Sequence, residues 1–150
     1  MIAATIFALA VSSAPCSAQS APEQEAAAVQ ARIQSFLREY SAKDADAVLA
    51  MTAPDAAIYG SKAAEIYSTR DGIRTLLRSD FAQWDSATFA AIQHPDVRIA
   101  CDRATAFFDA PITIEREGRM MTILVRFATV WRDVDGSWLL EQSANYDVDR

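Results

Sequence analysis

Val125-Arg126-Phe127-Ala128-Thr129-Val130-Trp131-Arg132-Asp133-Val134-Asp135-Gly136-Ser137-Trp138 is the stretch that decides the fold. Apolar and aromatic residues recur at every second position up to Trp131, the period of a strand with one buried face. The run breaks at Asp133-Val134-Asp135-Gly136, read as a four-residue turn, and resumes at Trp138, so the segment is a β-hairpin. That turn length sets Trp131 opposite Trp138, Phe127 opposite Gln142 and Arg126 opposite Ser143.

Working back from the hairpin, Glu117-Gly118 makes a second turn that places Arg116 opposite Arg119 and Asp109 opposite Arg126, with Pro111 able to slip this register by one. Strands are predicted over 88–93, 97–101, 104–116, 119–132 and 137–148. A strand over 119–132 is on the order of 45 Å long at about 3.3 Å per residue, which requires twist and bending. Pro95 and Pro111 mark the expected bulges. Upstream of residue 88 the period is helical. Ser20-Ala21-Pro22-Glu23 has capping-box spacing, and Val29, Ile33, Phe36, Leu37 and Tyr40 form an amphipathic stripe. Asp44 caps a short helix through Val48, Leu49 and Met51, which Pro54 stops ahead of the apolar Ala57-Ile58-Tyr59. Ser68 or Thr69 starts a third helix with Ile73, Leu76, Leu77 and Phe81.

Helices first and a strand meander afterwards define an α+β fold. The expected form is a cone: a curved antiparallel or mixed sheet wrapped around N-terminal helices, an α+β roll with an inner pocket. The inner face takes Phe108, Ile112, Ile114, Ile123, Val125, Phe127, Thr129, Trp131, Trp138, Leu140, Gln142, Ala144 and Tyr146. The outer face mixes Phe107, Leu124, Val130 and Leu139 with Asp109, Arg126, Glu141 and Ser143. Apolar residues exposed on a sheet face imply a partner, here expected to be a second copy of the chain.

The composition sets the class. In 150 residues, 51% hydrophobic and 23% charged, 20 acidic side chains stand against 14 basic ones, a net charge of -6. One globular domain follows, and the acid excess removes the electrostatic case for nucleic acid. Four scattered glycines provide no phosphate-binding loop. No charged residue occurs in the first twenty positions. Met1 to Val11 is apolar, and Cys16-Ser17-Ala18 has small-x-small form, so residues 1–18 read as a signal peptide cleaved after Ala18. Residues 19–24 are a linker and helix cap, and 25–150 are the domain. The expectation is export to the periplasm or beyond. An apolar run this short is no membrane span, which leaves no membrane association after cleavage. Lipid anchoring at Cys16 is an alternative, with Pro15 and Ser13 departing from the lipoprotein pattern. Cleavage removes Cys16 and leaves Cys101, expected as a small buried residue in a strand.

This element order, with Glu39-Tyr40-Ser41-Ala42-Lys43-Asp44, Thr69-Arg70-Asp71-Gly72-Ile73-Arg74 and the hairpin ending Asp135-Gly136-Ser137-Trp138, resembles the SnoaL-like branch of the nuclear transport factor 2-like (ketosteroid isomerase-like) superfamily. The resemblance covers roughly Glu25 to the C-terminus and implies a cone-shaped, usually dimeric fold. It does not name a reaction, because members include isomerases, cyclases, dehydratases and non-catalytic association domains. Carried over, the ketosteroid isomerase positions fall at Phe36, Gly60 and near Val125, none of which can move a proton. The histidine that many SnoaL-like chains place after the hairpin tryptophan is Ala144.

Site candidates come from polar residues on the inner face, because a pocket needs a few convergent polar groups amid apolar walls. Thr129, Gln142 and Tyr146 meet that description beside Phe127, and Tyr40, Tyr59 and Tyr67 approach from the helical side. Asp55, Tyr59 and Gln142 are the candidates for proton-transfer chemistry. A purely structural role competes at each: buried hydrogen bonding for Gln142 and Thr129, core rim for the tyrosines, a turn for Asp55. One histidine, His94, gives no metal cluster, and no cofactor is expected. Asp109 with Arg126 reads as a surface pair, and Arg70, Arg74 and Arg78 as a solvated helix face. Two functions are in view, the first the reading taken and the second its alternative. One is an exported domain holding a small, largely apolar molecule, with isomerase-, cyclase- or dehydratase-type chemistry. The other is a non-catalytic dimeric association module.

Overall fold

The computed structural model describes residues 22–60 and 65–148. Its elements are α1 (Pro22–Ser41), α2 (Ala45–Ala50), β1 (Thr52–Tyr59), β2 (Ile66–Tyr67), α3 (Arg70–Phe81), β3 (Ser86–Phe89), β4 (Gln93–Ala100), β5 (Arg103–Arg116), β6 (Arg119–Val134) and β7 (Ser137–Asp147). The sheet order is β2-β1-β7-β6-β5-β3, with β4 also on β5. Every pairing is antiparallel except β1 with β7, so the sheet is mixed. This is the expected α+β architecture of N-terminal helices against a curved, unclosed sheet.

The apolar stripe of α1 sinks Val29, Ile33 and Leu37 into the core, where they meet Val48 and Leu49 of α2 and Ile73 and Leu77 of α3. The sheet answers with Ala104, Ala106, Phe108, Phe127, Trp131, Trp138 and Leu140. Alanines on β5 let the helices approach closely, and the indole of Trp131, 1% exposed, fills the space left between them. Asp44 caps α2 by accepting from the Ala47 N–H at 2.9 Å, and Thr69 caps α3 by accepting from Gly72 at 3.1 Å. Lys43, in left-handed conformation (φ 58°), reaches past the end of α3 to donate to the Phe81, Trp84 and Asp85 carbonyls. A cation there satisfies carbonyls that the helix leaves open.

Several registers differ from expectation. The β5–β6 hairpin pairs Arg116 with Arg119 and Asp109 with Arg126 without a slip at Pro111. The β4–β5 register shifts between Gln93 and Asp96, around Pro95. The final hairpin is tighter than read. Val134 faces Ser137 across the two-residue turn Asp135-Gly136, both at positive φ (54° and 80°). Trp131 therefore faces Leu140, not Trp138, and Phe127 faces Asn145, not Gln142. A bulge between Val130/Gln142 and Trp131/Leu140 then adds one residue to β7. Because side chains alternate, that residue reverses the faces of all that follows. Gln142, Ala144 and Tyr146 turn outward, and Ser143 turns inward with Ile58 and Thr129. The segment from Thr52, read as a helix end and a short apolar stretch, is strand β1. The Ser20 capping position and residues 1–18 lie outside the described residues. Cys101 is also not as expected: it is exposed in the β4–β5 turn at φ 57° and is disulfide-bonded.

Candidate functional site

Aromatic side chains line the inner surface of the cone in sequence. Phe36 meets Trp131 edge to face at 6.0 Å, Tyr40 meets Phe81 at 5.1 Å and Phe89 at 5.7 Å, and Phe89 meets Phe127 at 6.0 Å. Phe127 stacks on Phe108 at 5.0 Å. Two polar side chains in this space, Thr129 and Tyr40, are engaged by their neighbours. Thr129 donates to the Ala106 carbonyl at 3.0 Å and accepts from Trp131 Nε1 at 2.9 Å. Tyr40 donates to Asp80 at 3.0 Å, and burial, reinforced by the Asp80 charge, holds its phenol protonated well above the usual tyrosine range. Tyr67 is half-buried, pairs with Ile58 and packs on the main core.

The seven expected pocket residues therefore divide between the two faces of the sheet. Tyr40, Tyr67, Phe127 and Thr129 lie on the inner side, and Tyr59, Gln142 and Tyr146 on the outer. Sequence reasoning missed Ser143 and Asn145, which the bulge turns toward Phe127 and Thr129. The Asp135-Gly136 turn could have supplied the starting register. No glycine or proline signals the bulge itself.

The outer face is built from cross-strand rows. One runs Phe107 (β5), Ala128 (β6), Ala144 (β7), Tyr59 (β1). The next runs Thr105, Val130, Gln142, Ala57. Small residues between large ones leave a groove of about 200 Å³ lined by Tyr59, Thr105, Phe107, Ala128, Thr129, Val130, Gln142, Ser143 and Ala144. Phe107 is 52% exposed and Tyr59 44%. Ion pairs surround the groove. Arg126 grips Asp109 through two hydrogen bonds, at 2.7 and 2.9 Å, and its other amino group lies 3.5 Å from the Tyr146 hydroxyl. At the opposite end Arg132 joins Asp55 and Glu141, and Arg103 joins Glu141 and Asp102. The Arg126 and Arg132 hydrogen bonds hold Asp109 and Asp55 below the usual carboxylate range, which makes them weak bases at neutral pH. Asp55 lies within the register shift between Thr52 and Ala57 and is engaged by Arg132, whereas Tyr59 faces Ala144.

A second hollow, about 700 Å³ and open, lies between the α1–α2 turn and α3. Three cations line it: Lys43, bonded to the carbonyls beyond α3, Arg74, paired with Asp46, and Arg78. His94 is exposed at the start of β4. Among the described residues no group of three or more His, Cys, Asp or Glu is placed to hold a metal ion, and no helix is long and apolar enough to cross a membrane.

The helices-then-meander order, mixed curved sheet and terminal hairpin define an α+β cone of the nuclear transport factor 2-like class. The family model for the SnoaL-like domain matches residues 29–145, and the chain belongs to that family. No curated protein matches it in sequence. Solved structures share the fold at low identity. A nuclear transport factor 2-like protein with a cystatin-like fold from Novosphingobium aromaticivorans is 16% identical, with a TM-score of 0.70 over 85% of this chain and 84% of that one. A proposed calcium/calmodulin-dependent protein kinase II association domain from Xanthomonas campestris is 17% identical, with a TM-score of 0.72 over 87% and 91%. The hexachlorocyclohexane dehydrochlorinase LinA-type3 from Novosphingobium barchaimii is 12% identical, with a TM-score of 0.72 over 84% and 88%. A fold shared by such proteins is compatible with a small-molecule pocket and does not select one activity.

Proposed function

We propose that this chain is a non-catalytic association domain that forms a homodimer through the outer face of its sheet. The observation that carries the reading is that face: two exposed aromatic rings in one row over small residues, framed by ion pairs. An apolar centre with a polar rim is the usual anatomy of a protein interface. The arginine-paired carboxylates of the outer face support it from the other side, since they are weak bases at neutral pH. The description of the Xanthomonas relative as an association domain agrees. Phe107→Asp sets a charge in the apolar row of this face, outside the core. Light scattering on the eluting protein is expected to give twice the chain mass for wild type and the chain mass for Phe107→Asp, with the far-ultraviolet spectrum unchanged. A variant as dimeric as wild type contradicts the reading.

One observation favours a second reading, a domain that binds a small, largely apolar molecule on its inner face with room for proton-transfer chemistry. Ser143 and Asn145 face inward beside Phe127, a polar pair against an aromatic wall. A thermal-shift screen with steroids, polyketides and aromatic acids tests it, since a pocket ligand raises the melting temperature. No shift with any class at saturating concentration removes it. In both readings the protein is exported, with the leader at residues 1–18 as the signal. Cleavage after Ala18 would remove Cys16, the only other cysteine, so the mature chain would hold no second cysteine for Cys101 to bond within itself. N-terminal sequencing of the exported protein locates the cut.

A further inference from the structure

The open hollow of about 700 Å³ between the α1–α2 turn and α3 is built by helices and turns alone, since none of its lining residues belongs to the sheet. Its charged lining is Lys43, Asp44, Asp46, Arg74 and Arg78, three cations against two carboxylates in a chain whose net charge is -6. The three cations are not equivalent. Lys43 uses its three donors on the Phe81, Trp84 and Asp85 carbonyls, so it acts on the hollow by charge alone. Arg74 is paired with Asp46. Arg78, exposed one turn further along α3, has no ion-pair or hydrogen-bond partner among the described residues. Residues four apart on a helix are neighbours on one face, so the Arg74 and Arg78 guanidinium groups can converge on one acceptor.

We propose that this hollow binds the phosphate group of a small molecule, held between the guanidinium groups of Arg74 and Arg78. Each guanidinium is a planar fork that grips an oxyanion through two parallel N–H bonds. Two forks match a phosphate group, with three free oxygens and close to two negative charges at neutral pH, better than a carboxylate with two oxygens and one charge. Asp46 already shows that an oxyanion is accepted here. Its side chain is 82% exposed, and the Arg74 hydrogen bond, with the charges of Arg74, Arg78 and Arg70, holds its carboxyl below the usual range. An ion pair this exposed is weakly held, so a ligand carrying more charge displaces Asp46 from Arg74. Ala42, Ala45, Phe81 and Ala82 complete the lining with methyl groups and one aromatic ring, a surface for a small organic body. The site is independent of the outer-face dimer.

Titration of the isotope-labelled full chain by two-dimensional nuclear magnetic resonance at fixed ionic strength tests this, with phenyl phosphate, inorganic phosphate and benzoate as probes. Phenyl phosphate is expected to shift the amides of residues 42–46 and 74–82 along saturating curves and to bind more tightly than benzoate. Arg78→Gln is expected to weaken it at least about tenfold, as loss of a hydrogen bond to a charged group does. Asp46→Asn frees Arg74 and removes the competing carboxylate, so it is expected to tighten binding about threefold. Damage to the fold does not tighten binding, which separates the two explanations. Both side chains are exposed, and the ligand-free variants are expected to melt close to wild type. Shifts that rise linearly through the millimolar range, or a dissociation constant that moves less than twofold in both variants, mean diffuse ion binding and overturn the proposal. Benzoate binding as tightly as phenyl phosphate at these residues overturns the phosphate assignment. Inorganic phosphate is expected to bind more weakly for want of an organic body, and equal affinity overturns the small-molecule source in favour of the free ion.

Discussion

Thr129 shows how one side chain can look like a ligand contact and be structural. Its hydroxyl sits on the apolar face, as a ligand-binding group would, yet it is used twice within the core, by the Ala106 carbonyl and by the indole N–H of Trp131. Thr129→Val keeps the shape and removes both bonds, leaving a buried indole donor without a partner. A loss of about 1–3 kcal/mol in urea unfolding is expected. Asp109 carries a second prediction at this scale. The Arg126 guanidinium depresses its carboxyl from the ordinary 3.8, so the charged form is the one the fold favours. Its contribution is fully present above that ordinary value and is lost as the pH falls below it. Asp109→Asn is therefore expected to be less stable than wild type at pH 7 and equal to it in strong acid, by thermal melts across pH. A constant difference at all pH values would count against an ionic origin.

The elements differ in how much their residues announce. The Asp109–Arg126 pairing followed from a two-residue turn at Glu117-Gly118 and uninterrupted alternation on both sides, and it is the pairing found. β1 was hidden because Thr52-Ala53-Pro54-Asp55-Ala56-Ala57 lacks alternation and strand formers. It is held in the sheet by its parallel neighbour β7, a contact that no local pattern encodes. The bulge in β7 was hidden for a different reason. Trp138-Leu139-Leu140-Glu141-Gln142-Ser143 reads equally well in either parity, and only the strands on each side decide which face Gln142 takes. The Ser143 and Asn145 pair on the inner face was illegible for the same reason. Turn chemistry is testable at this scale. Gly136 has φ 80° with no atom near a would-be Cβ, so Gly136→Val strains the backbone without a clash. A cost of about 1–3 kcal/mol in denaturant unfolding is expected, with no change in which residues pair, as read from cross-strand nuclear Overhauser contacts.

For the whole molecule, the aromatic core inside the cone and the exposed rings outside it set the two faces of the sheet apart. The fold class was expected from the hairpin and the alternation around it, and it is the one found. The expected ring of polar residues around one pocket was not found, because one added residue in β7 sends part of it to the far side of the sheet. What stands on that side is an aromatic face framed by ion pairs. The direct measurement is a dilution series of the wild-type chain by sedimentation velocity. The account predicts a coefficient that falls from the dimer value to the monomer value as the concentration drops through the micromolar range. A single monomer coefficient at every concentration would contradict it.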